Sequence, residues 1–266
     1  MSGALATAEP WDLVATNYAA QSLPYFEAFS REALRLAALP PSARVADIAA
    51  GPGTLSVLAA TAGAKVDAID LSPGMVGEFR ARIATAGLES SIDVRIGDGQ
   101  QLPFESAAYD GAFSMFGLMF FPDRAAGLRE MKRVLKSGGR AVISSWIPFD
   151  GPFGTLFKAA SEIIPGLPSG GDFALSDEES IVREMSAAGL TDVSVHRVAQ
   201  ELKAESFDKF WTAMERTNAP LVLIKHRVGP ERWQTLGPKI RERVSATLGT
   251  GPITIGRGAF IGVGNA

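Results

Sequence analysis

The chain has 266 residues, 46% hydrophobic and 21% charged, with a formal net charge of −3, so it can bury one sizeable core and carries no general field to attract nucleic acid. It contains no cysteine and two histidines, which removes disulfides, thiolate nucleophiles and sulfur-based zinc sites and makes an all-histidine metal site implausible; no metal is expected. No basic leader with a sustained apolar stretch opens the chain and no run reaches membrane-span length, so a cytoplasmic protein with no membrane span is the default expectation.

Residues 1–40 form a separate amphipathic piece bearing Trp11, Tyr18, Leu23, Tyr25, Phe26, Phe29 and Leu34. Because it precedes the first strand, it can lie as a helical lid over the strand C-termini, where open α/β sheets bind ligands. From residue 44 onward, apolar strand-like runs at Arg44–Ala49, Lys65–Asp70, Ile92–Gly97, Tyr109–Met115 and Arg140–Trp146 alternate with helix-like runs at Thr54–Thr61, Pro73–Thr85 and Asp123–Leu135. That alternation is the pattern of a parallel sheet covered on both faces, an α/β core over 41–147. Ser72-Pro73 reads as an N-cap and first helical residue, Gly87 as a helix stop and Ser137-Gly138-Gly139 as another.

After Trp146 the order loosens. Four prolines and several glycines surround one short helix candidate, Phe153–Ile163, so 148–175 reads as a covering segment. Ser176, with Glu179 three residues on, opens a helix to Ala188 that stops at Gly189, before a strand candidate at Asp192–Ala199; 176–199 therefore continues the core. Helical spacing of Phe207, Phe210, Trp211 and Met214, then of Trp233, Leu236, Ile240, Val244 and Leu248, makes 200–255 a helical insertion. The glycine-spaced run Gly258–Gly264 closes the core within 256–266.

The chemistry concentrates in Asp47-Ile-Ala-Ala-Gly51-Pro-Gly53 followed by Asp70 at the end of the next apolar run. Glycines at such a turn let a ligand approach the backbone, and a carboxylate roughly 20 residues on is placed for a ribose. A tight corner with a solvated acid explains each piece singly; jointly they point to an adenosine-containing cofactor. A nicotinamide-dependent oxidoreductase shares these parts. However, Gly51-Pro-Gly53-Thr-Leu-Ser56 lacks the third glycine of the dinucleotide fingerprint, and Pro52 removes a backbone N–H where a pyrophosphate needs one. None of the three tyrosines has lysine four residues later, as short-chain dehydrogenases require.

With Asp98 in Gly97-Asp98-Gly99 after the third strand, the constellation resembles the class I S-adenosylmethionine-dependent methyltransferases, and most of all their ubiquinone/menaquinone-methyltransferase-like small-molecule group. The resemblance covers most of residues 11–146 and part of the closing strand. It implies a doubly wound, mostly parallel seven-stranded Rossmann-like sheet with the last strand antiparallel, plus helical lid insertions. It also implies that Asp47 holds the methionine amino group, that Gly51 and Gly53 pass beneath the cofactor, that Asp70 takes both ribose hydroxyls, that Leu71 and Met75 pack on adenine and that Asp98 accepts from the adenine amino group. Ser114 and Met115, with Phe116, match positions beside the methionine moiety, and Tyr18 matches a tyrosine dropped over the sulfonium. Two departures stand out: the usual first glycine is Ala49, acceptable if φ stays in the β region, and the usual proline before the fifth strand is Ser137.

The expected activity is in-line methyl transfer from S-adenosylmethionine, leaving S-adenosylhomocysteine, to a small and apolar methyl acceptor, by a monomer or homodimer. No residue stands out as a general base, and the catalytic residues are unknown, with Tyr18 and His226 the candidates. The alternative is a non-catalytic module that binds S-adenosylmethionine or S-adenosylhomocysteine. Nucleic acid is not an expected partner, since Ser114-Met-Phe-Gly117 offers neither an Asn/Asp-Pro-Pro-aromatic motif nor a cysteine.

Overall fold

A computed structural model describes residues 2–148, 154 and 174–266 of the chain. The helix candidate Phe153–Ile163 and nearly all of the covering segment lie outside the described residues. Three helices come first: α1 (Ser2–Leu5), α2 (Glu9–Gln21) and α3 (Leu23–Ala37). The core follows as β1 (Arg44–Ile48), α4 (Thr54–Thr61), β2 (Lys65–Asp70), α5 (Pro73–Ala86), β3 (Ile92–Ile96), β4 (Tyr109–Met115), a 3₁₀ turn at Leu118–Phe120, α6 (Arg124–Val134) and β5 (Leu135–Trp146). Then come α7 (Glu178–Ala187), β6 (Thr191–Ala204), α8 (Phe207–Thr217), α9 (Ala219–Val228), α10 (Pro230–Leu248) and β7 (Ile253–Asn265).

The strands form one seven-stranded sheet in the order β3-β2-β1-β4-β5-β7-β6. β1 to β5 pair in parallel, and β7 slots antiparallel between β5 and β6. Successive residues of the central strands enter opposite cores. Ala46, Ile48, Ala112 and Ile143 join Leu128, Met131 and Ile181 on one face, while Val45, Phe113 and Val142 join Leu55, Val76 and Phe79 on the other.

Local chemistry sets the boundaries. Ser72 caps α5 by accepting from the Met75 N–H at 3.0 Å, Pro73 follows it, and Gly87 ends the helix at φ +64°. Asp123 caps α6 through the Ala126 N–H at 2.9 Å. The cap of α7 is Asp177, not Ser176, since its extended backbone aims the carboxylate at the Ser180 N–H, 2.6 Å away.

Two elements run longer than their sequence patterns. The stretch from Leu135 belongs to β5 rather than to a preceding turn: Leu135 pairs with Tyr109, the register shifts before Gly111, and the C-terminal Ala266 exchanges hydrogen bonds with Gly138 and Gly139. β6 passes Ala199 to reach Ala204, which pairs with Ile253 of β7. The extension has its own core, in which Ile253, Ile255, Leu202 and Ala204 pack beneath Phe207, Trp211, Trp233 and Ile240 of the inserted helices.

Candidate active site

A cavity of about 480 Å³ opens at the C-terminal ends of β1, β2, β4 and β5, roofed by α2, α3 and the junction of α8 with α9. Parallel strands point their carbonyl ends and following turns into this space, which is why side chains from distant segments meet there. One half is a polar cradle and the other an aromatic chamber.

The cradle is the turn after β1. Asp70 closes it from β2: one carboxylate oxygen accepts from the Gly51 N–H at 2.7 Å and the other from the Ser72 N–H at 2.8 Å. A carboxylate can accept about four hydrogen bonds, so capacity remains for the two hydroxyls of a ribose. Burial pushes the Asp70 pKa up, against the backbone N–H groups that hold its anion. Gly51 has φ +54° and open space where a Cβ would stand, which fits a ligand passing across it. Arg82 braces the turn by donating to the Pro52 carbonyl.

Asp47 lines the cavity although only 1% exposed, and accepts from the Ser56 hydroxyl at 2.6 Å. Burial raises its pKa to about 7; the Ser56 hydrogen bond opposes the rise and Asp70 adds to it. Such an acid discriminates for a cationic ligand group, which would restore its ionised form.

Ala49 corrects one expectation, since its φ is +56° rather than in the β region. A non-glycine residue there costs roughly 1 kcal/mol. The compensation comes from β4: a Cβ on Gly117 would stand 2.4 Å from that of Ala49, so the missing side chain at 117 makes room for the extra one at 49.

Of the other residues anticipated around a cofactor, Tyr18, Leu71, Met75, Gly97, Asp98, Gly99 and Met115 line the cavity. Leu71 is 42% exposed, an apolar surface suited to a flat base, whereas Met75 is buried against Val14, Ala15 and Ala219. Asp98 also serves its own turn, accepting from the Gln100 N–H at 2.9 Å. Two residues do not line it. Gly53 begins α4 at φ +77°, where a Cβ would collide with the Phe79 ring, so packing requires that glycine. Ser114 is fully buried and accepts from the Leu118 N–H at 3.1 Å, shaping the turn after β4.

The two catalytic candidates differ in placement. Burial drives the Tyr18 pKa well above its ordinary value, opposed by Arg257 and reinforced by Asp70, so its phenol stays protonated. His226 is exposed in the last turn of α9 and does not line the cavity.

The aromatic chamber begins at Trp11, whose indole N–H donates to the Leu5 carbonyl at 3.0 Å and whose ring lies 5.3 Å from Phe120. Tyr18 stacks on Phe26 at 5.4 Å, and Phe116 stacks on Trp146 at 4.0 Å. Phe116 holds φ +59°, unusual for an aromatic residue, and its N–H donates to the Ser144 hydroxyl at 2.9 Å. Among the residues that escaped sequence reading, Arg257 from β7 and Trp146, read only as a strand end, line the cavity, and Asp12 braces the cradle without lining it. Asp12 accepts from the Ser72 hydroxyl at 2.5 Å and the Gly74 N–H at 2.8 Å. Among the described residues, no cluster of His, Asp or Glu could hold a metal ion, and no helix is long and apolar enough to cross a membrane.

Comparison with known proteins agrees with this geometry. Residues 46–143 match a family model described as a methyltransferase domain. An uncharacterised protein of Mycobacterium tuberculosis is 39% identical over 127 residues, 48% of this chain and 45% of that protein, so the match spans less than half the length of that relative. The demethylmenaquinone methyltransferase of Mycolicibacterium gilvum is 32% identical over 201 residues, covering 70% of this chain and 83% of that one. Among solved structures, the YcgJ protein of Bacillus subtilis superposes with a TM-score of 0.59 at 18% identity, over 89% of this chain and 97% of that chain. A phosphoethanolamine N-methyltransferase of Haemonchus contortus, solved with S-adenosyl-L-methionine, gives a TM-score of 0.57 at 17% identity over 90% of this chain and 52% of that chain.

Proposed function

The chain belongs to the S-adenosylmethionine-dependent methyltransferase family, and from that premise we propose that it binds S-adenosylmethionine in the cradle and methylates a small, largely apolar acceptor held in the aromatic chamber. The carrying observation is the continuity of the two halves: the Asp70–Gly51 cradle and buried Asp47 open directly onto the chamber of Tyr18, Phe26, Phe116 and Trp146.

When bound, S-adenosylmethionine supplies an electrophilic methyl on a sulfonium, displaced in line by the acceptor. The protein's part is placement. Asp70 takes the ribose hydroxyls while its backbone partners keep the carboxylate oriented, and Asp47 receives the amino group at the inner end. Leu71 and Asp98 flank the adenine position, as the family resemblance implies. Tyr18, with a protonated phenol, donates a hydrogen bond at the junction of the halves. Trp11, Leu5 and Phe120 close the outer edge against water, which strengthens the electrostatic contacts inside. Holding two reactants aligned can lower a barrier by up to about 7–11 kcal/mol, so placement alone accounts for much of such a reaction. A cytoplasmic setting and a monomer or homodimer that takes no nucleic acid complete the proposal.

Thermal denaturation with S-adenosylmethionine, S-adenosylhomocysteine, NAD and NADP in parallel tests it. At a hundredfold over its dissociation constant, a ligand adds about 2.7 kcal/mol. Both sulfur compounds should shift the wild type, and Asp70→Ala should lose the shift while keeping its far-ultraviolet circular dichroism. A response to NAD alone refutes the proposal; binding without turnover in any extract would leave the non-catalytic module.

A further inference from the structure

The turn after β3 brings Asp98 into the lining of the cavity with its side chain exposed. Among the described residues, Gln100 alone holds that carboxylate: its backbone N–H donates to one oxygen at 2.9 Å, and its side-chain amide donates to both oxygens at 3.1 Å. The oxygen of the same amide accepts from the Asp123 N–H at 2.8 Å, so both ends of the group are engaged and only one orientation of the amide satisfies them. Asp123 is in turn the cap of α6, which anchors the far end of these contacts to a helix. The backbone beneath is fixed as well. The Gly97 N–H donates to the Asp70 carbonyl at 3.0 Å, and a Cβ on Gly99 would collide with Phe121 and Ile48.

The family resemblance places Asp98 at the adenine amino group. An exposed carboxylate left free to rotate would lose that freedom on meeting a ligand, which weakens binding. Gln100 removes the freedom before the ligand arrives and, being neutral, does so without cancelling the negative charge. A carboxylate can accept about four hydrogen bonds, so capacity remains for a donor on the ligand. Resting on the proposed S-adenosylmethionine reading, we propose that Gln100 is a positioning residue that makes the site selective for a 6-aminopurine over a 6-oxopurine, by holding Asp98 as a fixed acceptor and tying it to α6. A 6-amino group donates to the carboxylate, whereas a 6-oxo group sets one acceptor against another. Glutamate in place of Gln100 would set a second carboxylate against the first.

The test compares S-adenosylhomocysteine with S-inosylhomocysteine, which carries oxygen in place of the 6-amino group, by calorimetry on the full chain. The wild type should favour the adenosyl compound by at least about tenfold. Gln100→Ala should reduce that preference several-fold, with the loss falling on the adenosyl compound. Gln100→Glu keeps an acceptor for the Asp123 N–H but removes the side-chain donors to Asp98, so it should lose at least as much as the alanine variant. Asp98→Ala should remove the preference, and adding Gln100→Ala to it should change nothing further, because a positioning residue acts only through the group it positions. Equal weakening of both compounds in Gln100→Ala would mark a structural loop contact and overturn the proposal. So would a wild type indifferent to the two compounds, a full preference in Gln100→Glu, or a further loss in the double variant. The failures are distinguishable: no binding of S-adenosylhomocysteine to the wild type refutes the methyl-donor reading, whereas binding with a preference indifferent to Gln100 refutes only the role of Gln100.

Discussion

Asp47 shows how much a single buried carboxylate decides. Its pKa in the fold, about 7, stands above the ordinary 3.8, so the folded state holds a proton that the unfolded state has released. In the ligand-free protein, the stability this provides is complete below about pH 4 and is lost as the pH rises through about 7. A cationic amino group needs the opposite, ionised form. Affinity for S-adenosylhomocysteine, measured by calorimetry from about pH 5 to about pH 8, should therefore rise toward pH 7 and level off above it. Asp47→Asn should bind weakly and show no such slope; a slope that survives the substitution would assign the titration elsewhere. Asp47, Gly51 and Asp70 were legible in the sequence because the chain places them within one βαβ unit, where spacing alone fixes proximity. Ala49 was not, since its positive φ depends on Gly117 of β4 leaving it room.

At the scale of elements, the link between α2 and α5 matters most. Asp12 sits at the N-terminus of α5, where it accepts from the Gly74 N–H and the Ser72 hydroxyl, and a carboxylate there also meets the positive end of the helix dipole. Thr16 adds a hydrogen bond to Glu78 at 2.6 Å. The same contact holds Trp11 and Tyr18 of α2 above the cradle formed by Asp70 and Leu71. Asp12→Ala should cost about 0.5–2 kcal/mol in urea denaturation and weaken S-adenosylhomocysteine several-fold, while Asp12→Asn, which keeps an acceptor, should lose less of both. A stability loss with unchanged ligand affinity would make Asp12 a cap and nothing more. The sequence showed α5 and its Ser72 cap plainly, because capping is local. It showed no sign of a second cap contributed by a helix from the other side of β1.

Over the whole molecule, the sheet is a firm floor and the roof over the cavity is assembled from distant segments. α2 touches α5, α8 and α9, and Arg227 at the end of α9 pairs with Glu9 at the start of α2 at 2.9 Å. That exposed pair contributes little by itself, so α2 is held chiefly by the buried contact of Val14 and Ala15 with Met75 and Ala219. Hydrogen exchange should show S-adenosylhomocysteine slowing amides in Glu9–Gln21 as well as in the glycine turn after β1. Protection confined to that turn would mean that α2 closes on something else. The sequence by itself determined the alternating α/β order, the glycine turn and the paired acids, because helix period, caps and a βαβ spacing all act over short stretches of chain. Only the tertiary structure decided what lines the aromatic chamber. The antiparallel insertion of β7 beside β5 sets Arg257 on Trp146, and α3 brings Tyr25 to the same wall. Those contacts join residues far apart in the chain, where neither composition nor periodicity carries information about who meets whom.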